Sequence, residues 1–504
     1  MDYPKPQTEP EVKPPSRARR VFNRGLRWLV YLLVVFVILT LLTPLAYRFW
    51  KAGEFENAVG EAEAGDPGMV LWDDLEKQRP TPVDAENAAL VIHAAVKGLN
   101  DNWDQPAEVP ADAPEILAPG SAASISQVRE RLSPRTLLPP TLAKILANHA
   151  AATQARYDQL RRLSDLQLSH YPGQRDRLMT GSDSRLEVLV QARAASDLCR
   201  KYALHYSQQN QAEQAVDAVQ RMLAAGRSLD QEPGLIPGLQ HLAIDVAVVR
   251  HIEKLLGLTE PDESSLRALQ SAVARQRSAP VLLWALRGER AQQIELYRAT
   301  FAGQPTALNG QTSSGGSGAG ALIMSYTHHG WWQDNGAMTT RWLSRLVDAA
   351  KLPPEQLSAR LQAIGAEQRA AQDSTVLYRE RFALAVLLMP AIFKVSESYV
   401  RQQAMLACGE AAVAAERFRR QERRWPEQLA EMTPKYLKEV PTDPYSGKPL
   451  LLRRTPNGLI IYSVFTNGVD DGGKIRSDPD SPFKEWTYDA GVQLWDPSAR
   501  RRTE

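Results

Sequence analysis

The chain has 504 residues and a formal net charge of +2, with 60 Lys and Arg against 58 Asp and Glu, and only two cysteines. So even a balance excludes the broad basic field that recruits nucleic acid, and two thiols are too few for a cysteine-based zinc centre. The length allows two to four domains at roughly 150 residues each, and the apolar content suffices for a sizeable core.

Residues 1–25 are rich in proline and charge with almost nothing to bury, which predicts a disordered, basic cytoplasmic tail. Residues 26–48 contain the run that organises the rest. Trp28 to Tyr47 are twenty residues without a charge, bounded by Arg27 and Arg48. A helix of that length rises roughly 30 Å, the thickness of a bilayer's hydrocarbon, so one N-terminal transmembrane helix is expected. Seven Lys and Arg, from Lys5 to Arg27, precede the run, and only Arg48 and Lys51 follow it closely. Positive residues stay inside. That puts the N-terminus in the cytoplasm and the bulk of the chain in the periplasm of a bacterial inner membrane, with the lipid bilayer as first partner. The apolar stretch exceeds the ~7–15 residues of a signal peptide, and Ala46-Tyr47-Arg48 is a poor cleavage site. An uncleaved anchor is the expectation.

Residues 49–82 are acidic and broken by Gly and Pro, reading as a juxtamembrane connector with one short helix at 70–78. Residues 83–398 carry a 3.6-residue apolar period and are expected to form a helical domain. The first helix has Asp84 as its cap and Ala89, Val91, Ile92, Ala95, Val96 and Leu99 as its stripe, with His93 as a structural side chain. Further helices are predicted at 141–168, 184–208, 238–256, 263–277, 280–300, 338–350, 354–373 and 375–389. The piece from Lys201 to Leu229 is a helical hairpin. Its Ala203, Tyr206, Ala215, Val219 and Met222 resemble one tetratricopeptide repeat, with small residues where two antiparallel helices approach. No second copy follows at the roughly 34-residue period, so the expected body is a helical bundle or array. Cys199 and Cys408 fall in apolar helical runs and are expected to be free and buried. Asn309 to Ala321 is a flexible Gly/Ser loop, and without a Lys after its glycines it is no phosphate cradle.

Motifs of catalysis are scarce in this body. There is no G-x-S-x-G, no P-loop and no dinucleotide fingerprint. The only local concentration of reactive side chains is Thr327-His328-His329-Gly330-Trp331-Trp332. Adjacent histidines point apart on helix or strand, so a metal there needs ligands from elsewhere. The alternative is a Trp-rich loop edge that packs on the body or lies near the membrane.

Residues 399–504 read as a small α+β module with an antiparallel sheet. Val400, Ala404, Ala407, Ala411, Ala414 and Phe418 stripe one helix, which Trp425-Pro426 ends. The segment DPYSGKP turns the chain into a hairpin, 450–454 and 459–464, around an Asn-Gly turn. NGVDDGG follows the second strand. This order resembles the soluble domain of the major pseudopilin of the type II secretion system. In that family the loop after the strand holds a calcium ion, and the resemblance implies the same role for Asn467, Asp470, Asp471, Asp478 and Asp480. The residues themselves agree, offering hard oxygen donors within fourteen positions, while Gly468, Gly472 and Gly473 permit sharp turns. Phe465 stands where that family has Gly, and Asn467 where it has Asp. The family's apolar helix also runs directly into its soluble domain, whereas here the run ends at Tyr47 and the module begins at 399. As a whole, the segment order is similar to uncharacterised bacterial single-span membrane proteins.

The sequence therefore predicts a membrane-anchored, extracytoplasmic scaffold or interaction protein without enzymatic activity. Its C-terminal module would be calcium-stabilised and its partners unidentified envelope proteins. The alternatives are an accessory or divergent component of a type II secretion or pilus-like system, and an envelope metal-dependent hydrolase built on His328 and His329.

Overall fold

A computed structural model describes residues 28–36, 38, 42–43, 46–47, 49–99, 107–108, 122–123, 132–171, 184–302, 304, 329–475 and 488–503. The described residues between 28 and 50 are helical. Several positions of the run, including 37, 39–41, 44–45 and 48, lie outside them, so continuity across 26–48 remains an expectation from sequence.

The body is mainly helical, in the order α1 (Glu54–Gly65), α2 (Trp72–Gln78), α3 (Ala88–Val96), α4 (Pro140–Gln159), α5 (Ser184–Gln208), α6 (Ala212–Arg227), α7 (Leu235–Leu258), α8 (Glu263–Arg277), α9 (Val281–Phe301), α10 (His329–Ala350), α11 (Pro354–Gln372), α12 (Val376–Arg381) and α13 (Ala383–Glu422). A two-residue pairing joins β1 (Ala107–Glu108) and β2 (Ala122–Ala123). The C-terminal sheet is antiparallel, β3 (Leu451–Thr455), β4 (Gly458–Ser463) and β5 (Ala490–Trp495), in that spatial order.

Capping chemistry sets several ends. Asp262 accepts from the Ser265 amide at 2.7 Å and starts α8. At α3 the cap is Asn87 rather than Asp84, which lies in a 3-10 turn. The amide explains the choice. Asn87 Oδ1 accepts from the Ala89 and His170 amides, and its Nδ2 donates to the His170 carbonyl at 3.0 Å. A carboxylate has no such donor.

The connector is more ordered than its composition suggests. Besides α2 it contains α1, whose Phe55, Ala58, Val59 and Ala62 are buried at helical spacing. Phe55, Val59 and Ala62 pack with Ile294, Tyr297 and Trp332. Residues 329–332 are likewise no loop edge, since α10 begins at His329, well before the expected 338. Gly and Asn are poor helix formers, but here the polar groups serve other elements. Asn335 is fully buried, accepts from the Leu384 and Ala385 amides, and donates to the Arg381 carbonyl at 2.8 Å. It thereby caps the start of α13.

That helix runs unbroken for 40 residues through Pro390 and across position 399. Proline removes one donor, yet the turn around it is held by burial. Met389, Ile392 and Phe393 pack with Leu357, Leu361 and Ile364 of α11, and Gly365 leaves room for the Phe393 ring. Farther along, Ala404, Ala407, Ala411 and Ala414 are buried in the main core. The same core holds Leu459 and Ile461 of β4, Val492 and Leu494 of β5, and α3, α5, α6, α7 and α8. Cys199 and Cys408 are both free and buried in it.

Candidate loop site beside the C-terminal sheet

The hairpin that leads to the loop turns on Pro456-Asn457, since Thr455 pairs with Gly458. Neither central residue is left-handed, so the turn is not the mirror-image form that Asn-Gly predicts. Gly458 instead takes φ 149 as the first strand residue, where a Cβ would overlap the Leu494 carbonyl of β5.

After Ser463 the chain bends at Phe465, which adopts φ 56. This left-handed conformation is uncommon for a bulky residue. The ring is buried against Tyr445, with centroids 5.2 Å apart, so packing holds the bend. Gly468, Gly472 and Gly473 are also left-handed, at φ 67, 72 and 77, and fold the segment back on itself.

Asn467, Asp470 and Asp471 are thus gathered in one loop. Asn467 Nδ2 donates to Asp471 Oδ2 at 2.8 Å, and its Oδ1 accepts from the Val469 amide at 3.0 Å. Asp470 Oδ1 accepts from the Gly472 amide at 2.8 Å and from the Tyr462 hydroxyl at 3.0 Å. The Arg453 guanidinium binds the Gly472 carbonyl. Asp478 and Asp480 lie outside the described residues.

A further carboxylate, which sequence reasoning missed, completes the described part. Asp489 is 1% exposed and accepts from the Asp471 and Gly473 amides at 3.3 and 2.7 Å. Burial pushes its pKa up; the two amides lower it, and Asp470 and Asp471 raise it again. Its position follows from register, because Ser463 pairs with Ala490 and so brings the residue before β5 beside the loop after β4.

The donor set is all oxygen, three carboxylates and an amide carbonyl, which suits a hard cation such as calcium and not a soft metal. Among the described residues no three His, Cys, Asp or Glu side chains converge at metal-ligand spacing. The loop's own amides and hydroxyl occupy the carboxylates instead.

The histidine pair divides differently. His328 lies outside the described residues. His329 opens α10, with Nε2 3.3 Å from Gln333 Nε2 and its ring 5.2 Å from that of Phe301. His93 on α3 sits 3.2 Å from Gln191 Oε1.

Among the described residues, a strongly perturbed histidine is one that sequence reasoning passed over. His241 of α7 is fully buried, with Nδ1 2.9 Å from the Gly226 carbonyl and 3.2 Å from Asp230, and Nε2 3.0 Å from Asp245. Gln276 and Gln402 close the cluster from α8 and α13. Burial pushes the imidazole down, but Asp245 and then Asp230 outweigh it and lift the pKa to about 9. Burial also raises Asp230, to about 7. The i,i+4 spacing of His241 and Asp245 was the available signal. His241 and Asp245 are fully buried and Asp230 is partly exposed, and the cluster ties four helices together. An open cavity of about 250 Å³ beside α4 and α5 is walled by Leu137, Leu138, Ala143 and Leu146, with His205 and Gln208 at its edge. Comparison of the chain with known families, with curated proteins and with solved structures returned no match.

Proposed function

We propose that this chain is a membrane-anchored, extracytoplasmic scaffold that holds a helical body against the bilayer and presents a C-terminal module stiffened by calcium. The observation that carries this reading is the fastening of the connector. Arg287 and Arg290 of α9 both bind Asp66 just after α1, while Arg298 pairs with Glu56 and Arg341 with Glu54 and Glu61. A stalk stitched down in this way transmits position rather than swinging freely, which suits a protein that organises others. The helical hairpin α5–α6 resembles one tetratricopeptide repeat, the unit from which helical arrays build partner surfaces.

Crosslinking the full-length protein in its own membrane is expected to capture discrete envelope proteins or a second copy. A chain that crosslinks to nothing from any exposed position overturns the scaffold reading. Calcium added to the stripped full-length protein should raise its melting temperature, by about 2.7 kcal/mol of stabilisation at a hundredfold excess over Kd. Asp470→Ala with Asp471→Ala should abolish the shift, and an unshifted parent protein removes calcium from the proposal.

A second reading, an accessory or divergent part of a type II secretion or pilus-like system, is supported by the order of helix, Trp425-Pro426, hairpin and acidic loop. Deletion of the gene should then impair secretion or pilus assembly, and intact secretion and pili dispose of it.

A further inference from the structure

An apolar surface on α12 and the first turns of α13 has no cover among the described residues. Val376, Leu377 and Leu387 are 59%, 80% and 72% exposed. Ala383, Leu387 and Ala391 form one exposed stripe at i, i+4 and i+8, and Lys394, also exposed, ends it. Among the described residues α13 is the one helix long and apolar enough to cross a membrane, with a mean hydropathy of 1.5 and 39% of the window buried. It does not stand free to cross, because Met389, Ile392 and Phe393 are committed to α11. One face is packed on the body and the other is bare.

Where that bare face lies decides what covers it. Tyr47, the last residue of the apolar N-terminal run, packs against Gly330 at the start of α10. Its hydroxyl donates to Asp334, and the Lys51 ammonium binds the same carboxylate at 3.1 Å. Asp334 also holds Arg381, the last residue of α12, through Nε at 2.6 Å. Trp331 Nε1 donates to the Glu380 carbonyl at 2.7 Å. The end of the run and the end of α12 are therefore tied to one carboxylate, and Leu377 is one helical turn from that tie. Phe49 and Trp50, just past Tyr47, are 73% and 71% exposed. The charges around the bare face are mixed, with Arg379 and Lys394 against Glu380 and Glu397, so attraction to anionic lipid is not the driving force.

We infer that Val376, Leu377 and Leu387 form a second lipid contact, with α12 and the start of α13 lying in the interface of the bilayer that Trp28–Tyr47 crosses. The occupant is lipid because the surface is tied through Asp334 to the end of the span. An amphipathic segment held there buries its apolar face at the headgroup boundary and fixes the body's tilt as well as its distance. This inference rests on reading Trp28–Tyr47 as the span.

The test is bimane fluorescence of the full-length chain in phosphatidylcholine vesicles with or without doxyl-labelled phosphatidylcholine. Leu377→Cys, Leu387→Cys, Phe36→Cys within the run, and Glu213→Cys at an exposed position of α6 are labelled separately. The native Cys199 and Cys408 are buried and leave the background dark. Loss of fluorescence at 377, 387 and 36, several times that at 213, is the expected result. Loss at 36 alone overturns the second contact and leaves the span standing. No loss at 36 overturns both. Protection of 377 and 387 from the lipid quencher and from aqueous iodide together also overturns it, assigning the face to a second copy. Because both leucines are exposed, Leu377→Ser with Leu387→Ser should leave the melting temperature in detergent unchanged while abolishing the vesicle signal from a label at Val376→Cys.

Discussion

Asp66 is the sharpest place to test whether the connector is held by charge. Its Oδ1 accepts from Arg287 at 2.6 Å and lies 3.2 Å from Lys351, and its Oδ2 accepts from Arg287 and Arg290 at 2.9 and 2.7 Å. The Arg290 side chain is 1% exposed and that of Arg287 12%. Asp66→Asn keeps the shape and removes the charge, leaving two guanidiniums buried without a counter-ion. Removing one partner of such a buried pair costs about 3–5 kcal/mol. Arg290 retains the Met69 carbonyl at 3.1 Å and the Ser344 hydroxyl at 3.3 Å, which puts the expectation at the low end, about 3 kcal/mol. The titration of the carboxyl gives an independent check. Burial pushes Asp66 up, but hydrogen bonds from Arg287 and Arg290 outweigh it and hold the pKa at about 2. At about 1.4 kcal/mol per pKa unit, this is on the order of 2 kcal/mol at neutral pH. Since the folded value is depressed, that stability is present above the ordinary 3.8 and is lost as pH falls through about 2. Limited trypsin digestion of the full chain reads the effect at Lys77, an exposed residue of α2. Opening made easier by about 3 kcal/mol should raise cleavage there about a hundredfold. Cleavage and melting temperature equal to the parent's would mean that Phe55, Val59 and Ala62 hold the connector without help from charge, and the argument would fail.

Gly288→Ala places a Cβ over the Gly234 amide and the Pro233 carbonyl carbon, so α9 must move off the turn before α7. Urea unfolding should register a loss of about 1–3 kcal/mol. His241, raised to about 9, contributes stability that is complete below its ordinary 6.5 and lost as pH rises through about 9. Melting temperature should therefore fall between pH 6.5 and 9 in the parent and stay flatter in His241→Gln; parallel profiles would contradict the assignment. Asp443 is 1% exposed and accepts from the Ser463 and Ser446 hydroxyls and the Val464 and Tyr445 amides. Asp443→Ala orphans buried donors at about 1–3 kcal/mol each, so amide exchange in β4 should accelerate sharply, and less so in Asp443→Asn.

Legibility in the sequence tracked how local the determining forces were. The bounds of α5 and α8 were readable from apolar period, with Asp262 supplying the α8 cap. The start of α10 was hidden, because Gly330, Asp334 and Asn335 look like loop residues until Tyr47, Arg381 and the α13 amides are beside them. Pro390 similarly argues for a break that α11 and Gly365 override. Within the loop, Asn467, Asp470 and Asp471 could be grouped because they are neighbours in sequence. Asp489 could not, since only the pairing of Ser463 with Ala490 brings it there. The α1 stripe was masked by the Glu and Gly that alternate with its apolar residues.

The loop's setting explains how a bound cation there would matter beyond the loop itself. Asp489, which gathers the loop amides, immediately precedes β5, and β5 is embedded rather than peripheral. The Gln493 amide donates to Glu253 of α7 at 3.1 Å, and Asp496 accepts from Trp425 Nε1 at 2.6 Å. Arg500 then reaches Glu416, a fully buried carboxylate of α13, and the Thr259 carbonyl after α7. Fixing the loop therefore fixes the strand that joins α7 to α13. At its far end α13 is capped by Asn335 of α10, the helix whose Asp334 ties down Tyr47 and Lys51. One continuous helix thus links the acidic loop to Tyr47 at the end of the apolar N-terminal run, and it can do so only because Pro390 leaves it unbroken.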